Sequence, residues 1–199
     1  MITLLLTITV GCSKNIDEIH SQGIDSSSPN TYLPQITPDD TDYENLTTLE
    51  QSSSCIKNDF KLKLFSDKEV YKSTDIIKIH ATLKYIGNDD TTIIWHGDPY
   101  IVFSITDGKD FNSDGIIYDI LTSTTLEKDH LYYFDYKKNG SWDTDDPNPS
   151  FWENFYKEKN LLLPEGEYTI TVRSSFFLTE NVIDSHSELL CQLKINVEP

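Results

Sequence analysis

Positive charge is scarce in this 199-residue chain: 16 Lys and Arg stand against 33 Asp and Glu, a formal net charge of -17. That balance excludes a nucleic-acid footprint and electrostatic adhesion to anionic lipid, both of which need a basic surface. Cysteine is scarcer still, with three residues (Cys12, Cys55 and Cys191), and no Cys-His spacing of a zinc site occurs. There is no Gly-x-Ser-x-Gly elbow, and the five histidines (His20, His80, His96, His130 and His186) are scattered without a His-x-x-x-His pair. No catalytic residue is therefore nominated, and the chain is read as non-enzymatic. Long apolar runs are missing as well: Met1 to Val10 is far short of the about 20 residues a membrane-spanning helix needs.

That short run is nonetheless informative. Ile2, Leu4, Leu5, Leu6, Ile8 and Val10 lead to Gly11-Cys12, after which Ser13, Lys14 and Asn15 turn polar. The pattern predicts a signal peptide over residues 1–11. Thr9-Val10-Gly11-Cys12 resembles the bacterial lipobox, departing from it in Thr9, where Leu is usual, and in having no Lys or Arg ahead of the run. The resemblance implies cleavage before Cys12, acylation of that cysteine, and a lipid anchor in the cell membrane that leaves the chain on the extracytoplasmic face. Residues 12–54 are rich in Ser, Thr, Asn, Asp, Gln and Pro without apolar period. They are expected to form a flexible polar tether, because they cannot bury enough surface to offset ordering; its reach would be roughly 35 Å. With Cys12 acylated, Cys55 and Cys191 remain, one at each end of the folded region. In an oxidising compartment this pair predicts a disulfide worth on the order of 4 kcal/mol by chain entropy. Cys191 equally suits the role of a small buried hydrophobe.

From residue 55 to 199, apolar and polar residues alternate in short runs broken by Gly, Asn, Asp and Pro, as half-buried strands do. Phe60, Leu62 and Leu64 form one such face, and Ile77, Ile79, Ala81, Leu83 and Tyr85 another. Ile93 with Trp95, and Ile101 with Phe103 and Ile105, mark two more strands. Less regular strands are expected near 116–120 and 131–136, and clear ones over Tyr168 to Ser174 and Leu189 to Val197, the last pointing Cys191 inward. One short helix is expected over Ser150 to Lys159, capped by Ser150, since Phe151, Trp152, Phe155 and Tyr156 fall at helical spacing. Seven or eight strands without helix alternation predict an all-β antiparallel sandwich.

Tyr71-Lys72-Ser73-Thr74-Asp75 leading into the strand Ile76 to Tyr85, Ile105 to Gly108, and Leu161 to Val172 with its Pro164-Glu165-Gly166-Glu167-Tyr168 turn resemble bacterial immunoglobulin-like sandwich domains. Among these they are most similar to the intracellular proteinase inhibitor type. The resemblance implies an immunoglobulin-like β-sandwich over 55–199; if function follows, it implies a rigid loop offered to a protease cleft. Its motifs are structural, and fold analogy does not carry activity.

Asp110-Phe111-Asn112-Ser113-Asp114-Gly115 places oxygens at alternate positions before a glycine, like the first half of a calcium loop, with Asp119 as a further oxygen donor. Leu121 stands where such a loop carries its bidentate Glu, and the same residues also suit a polar hairpin turn. No cofactor is expected beyond this calcium reading. A second acidic group, Asp143, Asp145 and Asp146, lies beside Trp142. The aromatics from Tyr132 to Tyr156 either pack in the core or form a contact surface, for which Tyr133, Trp142, Trp152 and Tyr156 are the candidates. The expected function is a monomeric, lipid-anchored envelope module that binds an envelope protein or glycan. The alternatives are a proteinase-inhibitor-like domain and a calcium-stabilised adhesion or carbohydrate-contact module.

Overall fold

A computed structural model describes residues 51–199, so the expected signal peptide, the expected acylation site Cys12 and most of the expected tether lie outside the described residues. Within them the chain is an all-β sandwich of eleven strands and one helix. The strands are β1 (Gln51–Lys57), β2 (Phe60–Ser66), β3 (Val70–Lys72), β4 (Ile79–Tyr85), β5 (Thr91–Asp98), β6 (Ile101–Thr106), β7 (Asn112–Asp114), β8 (Tyr118–Glu127), β9 (Leu131–Asp135), β10 (Gly166–Phe177) and β11 (His186–Glu198). The helix, α1, spans Pro149–Lys157.

One sheet runs β1-β2-β4-β9, and the other runs β3-β11-β10 and continues onto the β5/β6 and β7/β8 segments. The eleven strands exceed the seven or eight expected for a physical reason. β5 and β6 both lie against β10 and are joined through the cis Asp98-Pro99 peptide. β7 and β8 lie against the same two segments, Ser104 opposite Asp114 and Thr91 opposite Glu127. Each pair is thus one interrupted strand, and merging the two pairs leaves nine. A second difference is that Val70, Tyr71 and Lys72 pair in parallel with Asn196, Val197 and Glu198, within an otherwise antiparallel fold. A third concerns Gln51 to Ser54, which composition assigns to the tether. Here they belong to β1, because backbone pairing with β2 needs no apolar side chain.

The core lies between the sheets. Phe60, Leu62, Leu64, Ala81 and Leu83 face Ile105, Ile170, Val172, Phe176, Leu189, Leu193 and Ile195, all fully or nearly fully buried. Phe60 bridges the layers, its ring 4.7 Å from that of Phe176 in an edge-on contact. Each such side chain contributes about 1.5–3 kcal/mol of burial, which is why the two-residue period of β2, β4, β10 and β11 fixes their register. The helix starts one residue before Ser150. Pro149 occupies its first turn and Asn148, in the left-handed conformation, precedes it without a side-chain cap bond. Proline's fixed φ suits that position, so Ser150 is not the cap.

Candidate functional site: an acidic and aromatic cleft

The site is built around Phe111. The turn ahead of it is shaped by the Asp107 carboxylate, which accepts N–H bonds from Lys109 (2.8 Å) and Phe111 (3.0 Å). These bonds, the Lys109 N–H first, hold the Asp107 carboxyl below the usual carboxylate range. The extended backbone of β7 then alternates its side chains: Phe111 and Ser113 point inward, while Asn112 and Asp114 face out beside exposed Asp110. The buried Phe111 ring meets Trp152 at 5.2 Å and Phe155 at 5.4 Å on α1, and Tyr168 at 5.4 Å on β10. It therefore docks the helix on the sandwich, and Trp152 and Tyr156, one turn apart, are left half-buried with their rings stacked 6.2 Å apart.

Two further contacts fix this arrangement. The Lys138 ammonium donates to the carbonyls of Phe155 (2.7 Å), Glu158 (2.8 Å) and Asn160 (2.7 Å). It thereby satisfies groups that a helix C-terminus leaves open, although burial pushes its pKa down. Gly140 lets the 137–148 loop wedge between β7 and α1: a Cβ there would lie 2.2 Å from the Tyr156 hydroxyl and 2.9 Å from the Asp114 carbonyl.

The result is a cleft of about 410 Å³. Asp110, Asn112 and Asp114 line it from the β7 side, Ser141, Asp146 and Pro147 from the loop, and Trp152 and Tyr156 from the helix, with Gly115 and Ile116 between. The lining holds three carboxylates and no Lys, Arg or His. Asp146 is tied into its loop by the Asp143 N–H at 2.7 Å, and the Asp143 carboxyl is itself held down by the Asp145 N–H and the Thr144 hydroxyl.

The structure thus brings together Asp110, Asn112, Asp114, Trp152 and Tyr156, and adds Asp146. It does not bring in the others. Asp119 is exposed on β8. Tyr133 lies opposite Thr82 on the outer face of the β1-β2-β4-β9 sheet. Trp142 is half-buried in the loop but outside the cleft lining. Gly140 and Ser141 escaped sequence reasoning; the Asn139-Gly140-Ser141 turn was their only signal. In the calcium-like segment Asp110 lies in the bend that precedes β7, and Asn112 and Asp114 lie on the strand itself. The Asn112 amide already donates to Asp114 at 2.8 Å. Among the described residues, no group of three or more His, Cys, Asp and Glu is arranged to hold an ion.

The expected disulfide pair, Cys55 and Cys191, is brought together with both cysteines unbonded. They touch at 2.9 Å, and the Cys191 thiol also faces the Leu62 carbonyl at 3.3 Å. Burial is the first cause that pushes the Cys191 thiol up to about 12.

No protein-family model matches the chain, and no curated protein matches it.

Proposed function

We propose that the chain is a non-enzymatic binding module of the bacterial cell envelope. It is held at the extracytoplasmic face by lipid on Cys12, acts as a monomer, and uses the cleft as its contact site for an envelope protein or glycan. The observation that carries this reading is the meeting, in one cleft, of side chains that are separate in sequence: Asp110, Asn112 and Asp114 with Asp146, Trp152 and Tyr156. Stacked aromatic rings give an apolar platform for the flat face of a sugar or side chain. Carboxylates and an amide beside them accept and donate hydrogen bonds and set orientation. Export would also place Cys55 and Cys191 where they close into a disulfide.

The test is crosslinking on intact cells. Wild-type protein is expected to capture a defined partner, and the double variant Asp114→Asn with Trp152→Leu is expected to lose it. An unchanged set of adducts, with both proteins folded, would remove the cleft from the interaction. Metabolic labelling with a fatty acid, compared between wild type and Cys12→Ser, tests the anchor.

A proteinase-inhibitor-like reading is favoured by a different feature, the turn between β10 and β11. Ile183 is 81% exposed at its tip. The base is braced by the Thr179 N–H and hydroxyl donating to Ser185 Oγ (3.2 and 2.9 Å), and the Ser185 hydroxyl reaches the Asn181 carbonyl at 3.0 Å. A braced loop with an apolar tip fits a protease cleft. Stoichiometric inhibition of a subtilisin-type protease, lost in Ile183→Asp, would establish it.

A further inference from the structure

β1, the strand that follows the N-terminal segment, lies at an edge of its sheet and is held by its ladder on β2 and by packing across to β11. Among the described residues β1 has β2 as its one sheet neighbour. Its inward positions, Gln51, Ser53 and Cys55, are half-buried, and Ile56 is 63% exposed on the other face. Among the described residues Gln51 Oε1 is buried without a hydrogen-bond partner, which costs stability at the first position of the strand. Cys55 is the side chain through which β1 packs against the core cluster. β11 is the opposite case. It lies between β3 and β10 and buries Ser187, Leu189, Cys191, Leu193, Ile195 and Val197 in strict alternation. The contact between Cys55 and Cys191 therefore joins an edge strand to one of the best-held strands.

We infer that Cys55 and Cys191 form an oxidative clamp, which stops β1 from peeling off β2 under a pull from the N-terminal side and passes that load to β11. The clamp rests on the anchored reading, because an untethered domain feels no such pull. Without the bridge, tension applied at Gln51 loads the Gln51 to Lys57 ladder on β2 first. With it, peeling ends at Cys55.

The chemistry is thiol–disulfide exchange with a small or protein disulfide as oxidant. Cys55, half-exposed, is the attacking thiolate, since Cys191 is buried. Its sulfur bonds to one donor sulfur, the donor disulfide breaks, and one donor thiolate leaves. The Cys191 sulfur then displaces the second donor sulfur from Cys55. The two protons lost by the cysteines go to the two donor thiolates, so one disulfide is formed here and one is reduced there.

The test uses the full chain, treated with oxidised glutathione or left reduced. The oxidised protein is expected to lose the mass of two hydrogens and to resist alkylation at Cys55 and Cys191. Exchange of the backbone amides of 51–57 is expected to slow by about tenfold or more. Cys55→Ser, a conservative change on an edge strand, should match the reduced protein in both readouts. Pulling between the termini supplies an independent measure. The reduced domain should release the contour of its whole folded chain, and the oxidised one only the segments outside 55–191. Alkylation of both thiols after oxidant treatment would overturn the clamp, and so would a closed bridge with unchanged exchange over 51–57. The two readings fail separately. Absence of fatty-acid label on Cys12 removes the anchor whatever the thiols do, whereas labelled protein recovered from membranes with both thiols alkylatable removes the clamp alone.

Discussion

Acidification should expose His96. Its ring is 2% exposed. Nδ1 donates to the Gly97 carbonyl at 2.8 Å, which leaves Nε2 to accept the Thr124 hydroxyl at 2.8 Å. Both nitrogens are thus satisfied in the neutral form, and the Tyr100 ring lies against them at 4.3 Å. Burial is the main cause that holds the pKa below its ordinary 6.5, and the Gly97 bond and the charge of Asp98 offset only part of it. The unfolded chain therefore binds more protons than the folded one below pH 6.5. This stability is fully present above the unfolded value and is lost as pH falls through it toward the lower folded value. The slope reaches at most about 1.4 kcal/mol per pH unit and flattens below the folded pKa. A competing effect has the opposite sign, since acid reduces the repulsion within a chain of net charge -17. The comparison that isolates His96 is with His96→Gln, which keeps a donor and an acceptor but does not titrate. Urea unfolding from about pH 7.5 to about pH 5.5 should show the wild type losing stability relative to the variant. Parallel curves for the two proteins would refute the reasoning.

Phe60→Ala removes a fully buried ring packed between Tyr85 (5.4 Å) and Phe176 (4.7 Å). It should cost about 3–5 kcal/mol in a denaturant midpoint, and a loss under about 1 kcal/mol would mean that the layers are not held there. Gly140→Ala forces a methyl against the Tyr156 hydroxyl and the Asp114 carbonyl. The expectation is a loss of about 1–3 kcal/mol and an altered near-ultraviolet circular dichroism signal from the displaced aromatic pair. An unchanged spectrum would show that the loop is not wedged. Calcium or chelator should leave the melting temperature unchanged, because Asn112 and Asp114 lie on a strand and the Asn112 amide already donates to Asp114. A rise on adding calcium would require the cleft to rearrange around the ion.

The sandwich was legible where burial is one-sided. In β2, β4, β10 and β11, large apolar side chains alternate with Lys, Thr and Glu, and that contrast survives in the sequence. It failed where inward positions carry small polar residues. β1 alternates Ser, Gln and Cys, and β7 points only Ser113 inward between Asn112 and Asp114. β8 runs on to Glu127 through a Thr and Ser stretch, although Thr124 and Leu126 are fully buried in it. The helix was visible from its aromatic spacing, but its start was placed on Ser150, although Asn148-Pro149 carries the stronger signal. The residue types of the site were likewise visible, whereas their convergence was not. It depends on Phe111 holding α1 against Tyr168 and on the room that Gly140 leaves, both long-range facts without a local pattern. The same limit misplaced Tyr133. Its neighbours Tyr132 and Phe134 turn inward, so strand alternation sends it to the opposite surface.

The central position of β11 has a consequence for when this chain can acquire its shape. It is the last of the described strands in sequence, yet β3, among the earliest of them, pairs with it, β10 pairs with it, and β1 and β2 pack across from it. Until its residues have left the ribosome, the early strands lack the partner that closes both layers, and contacts so distant in sequence form slowly. A nascent chain of this design stays open until β11 has been made.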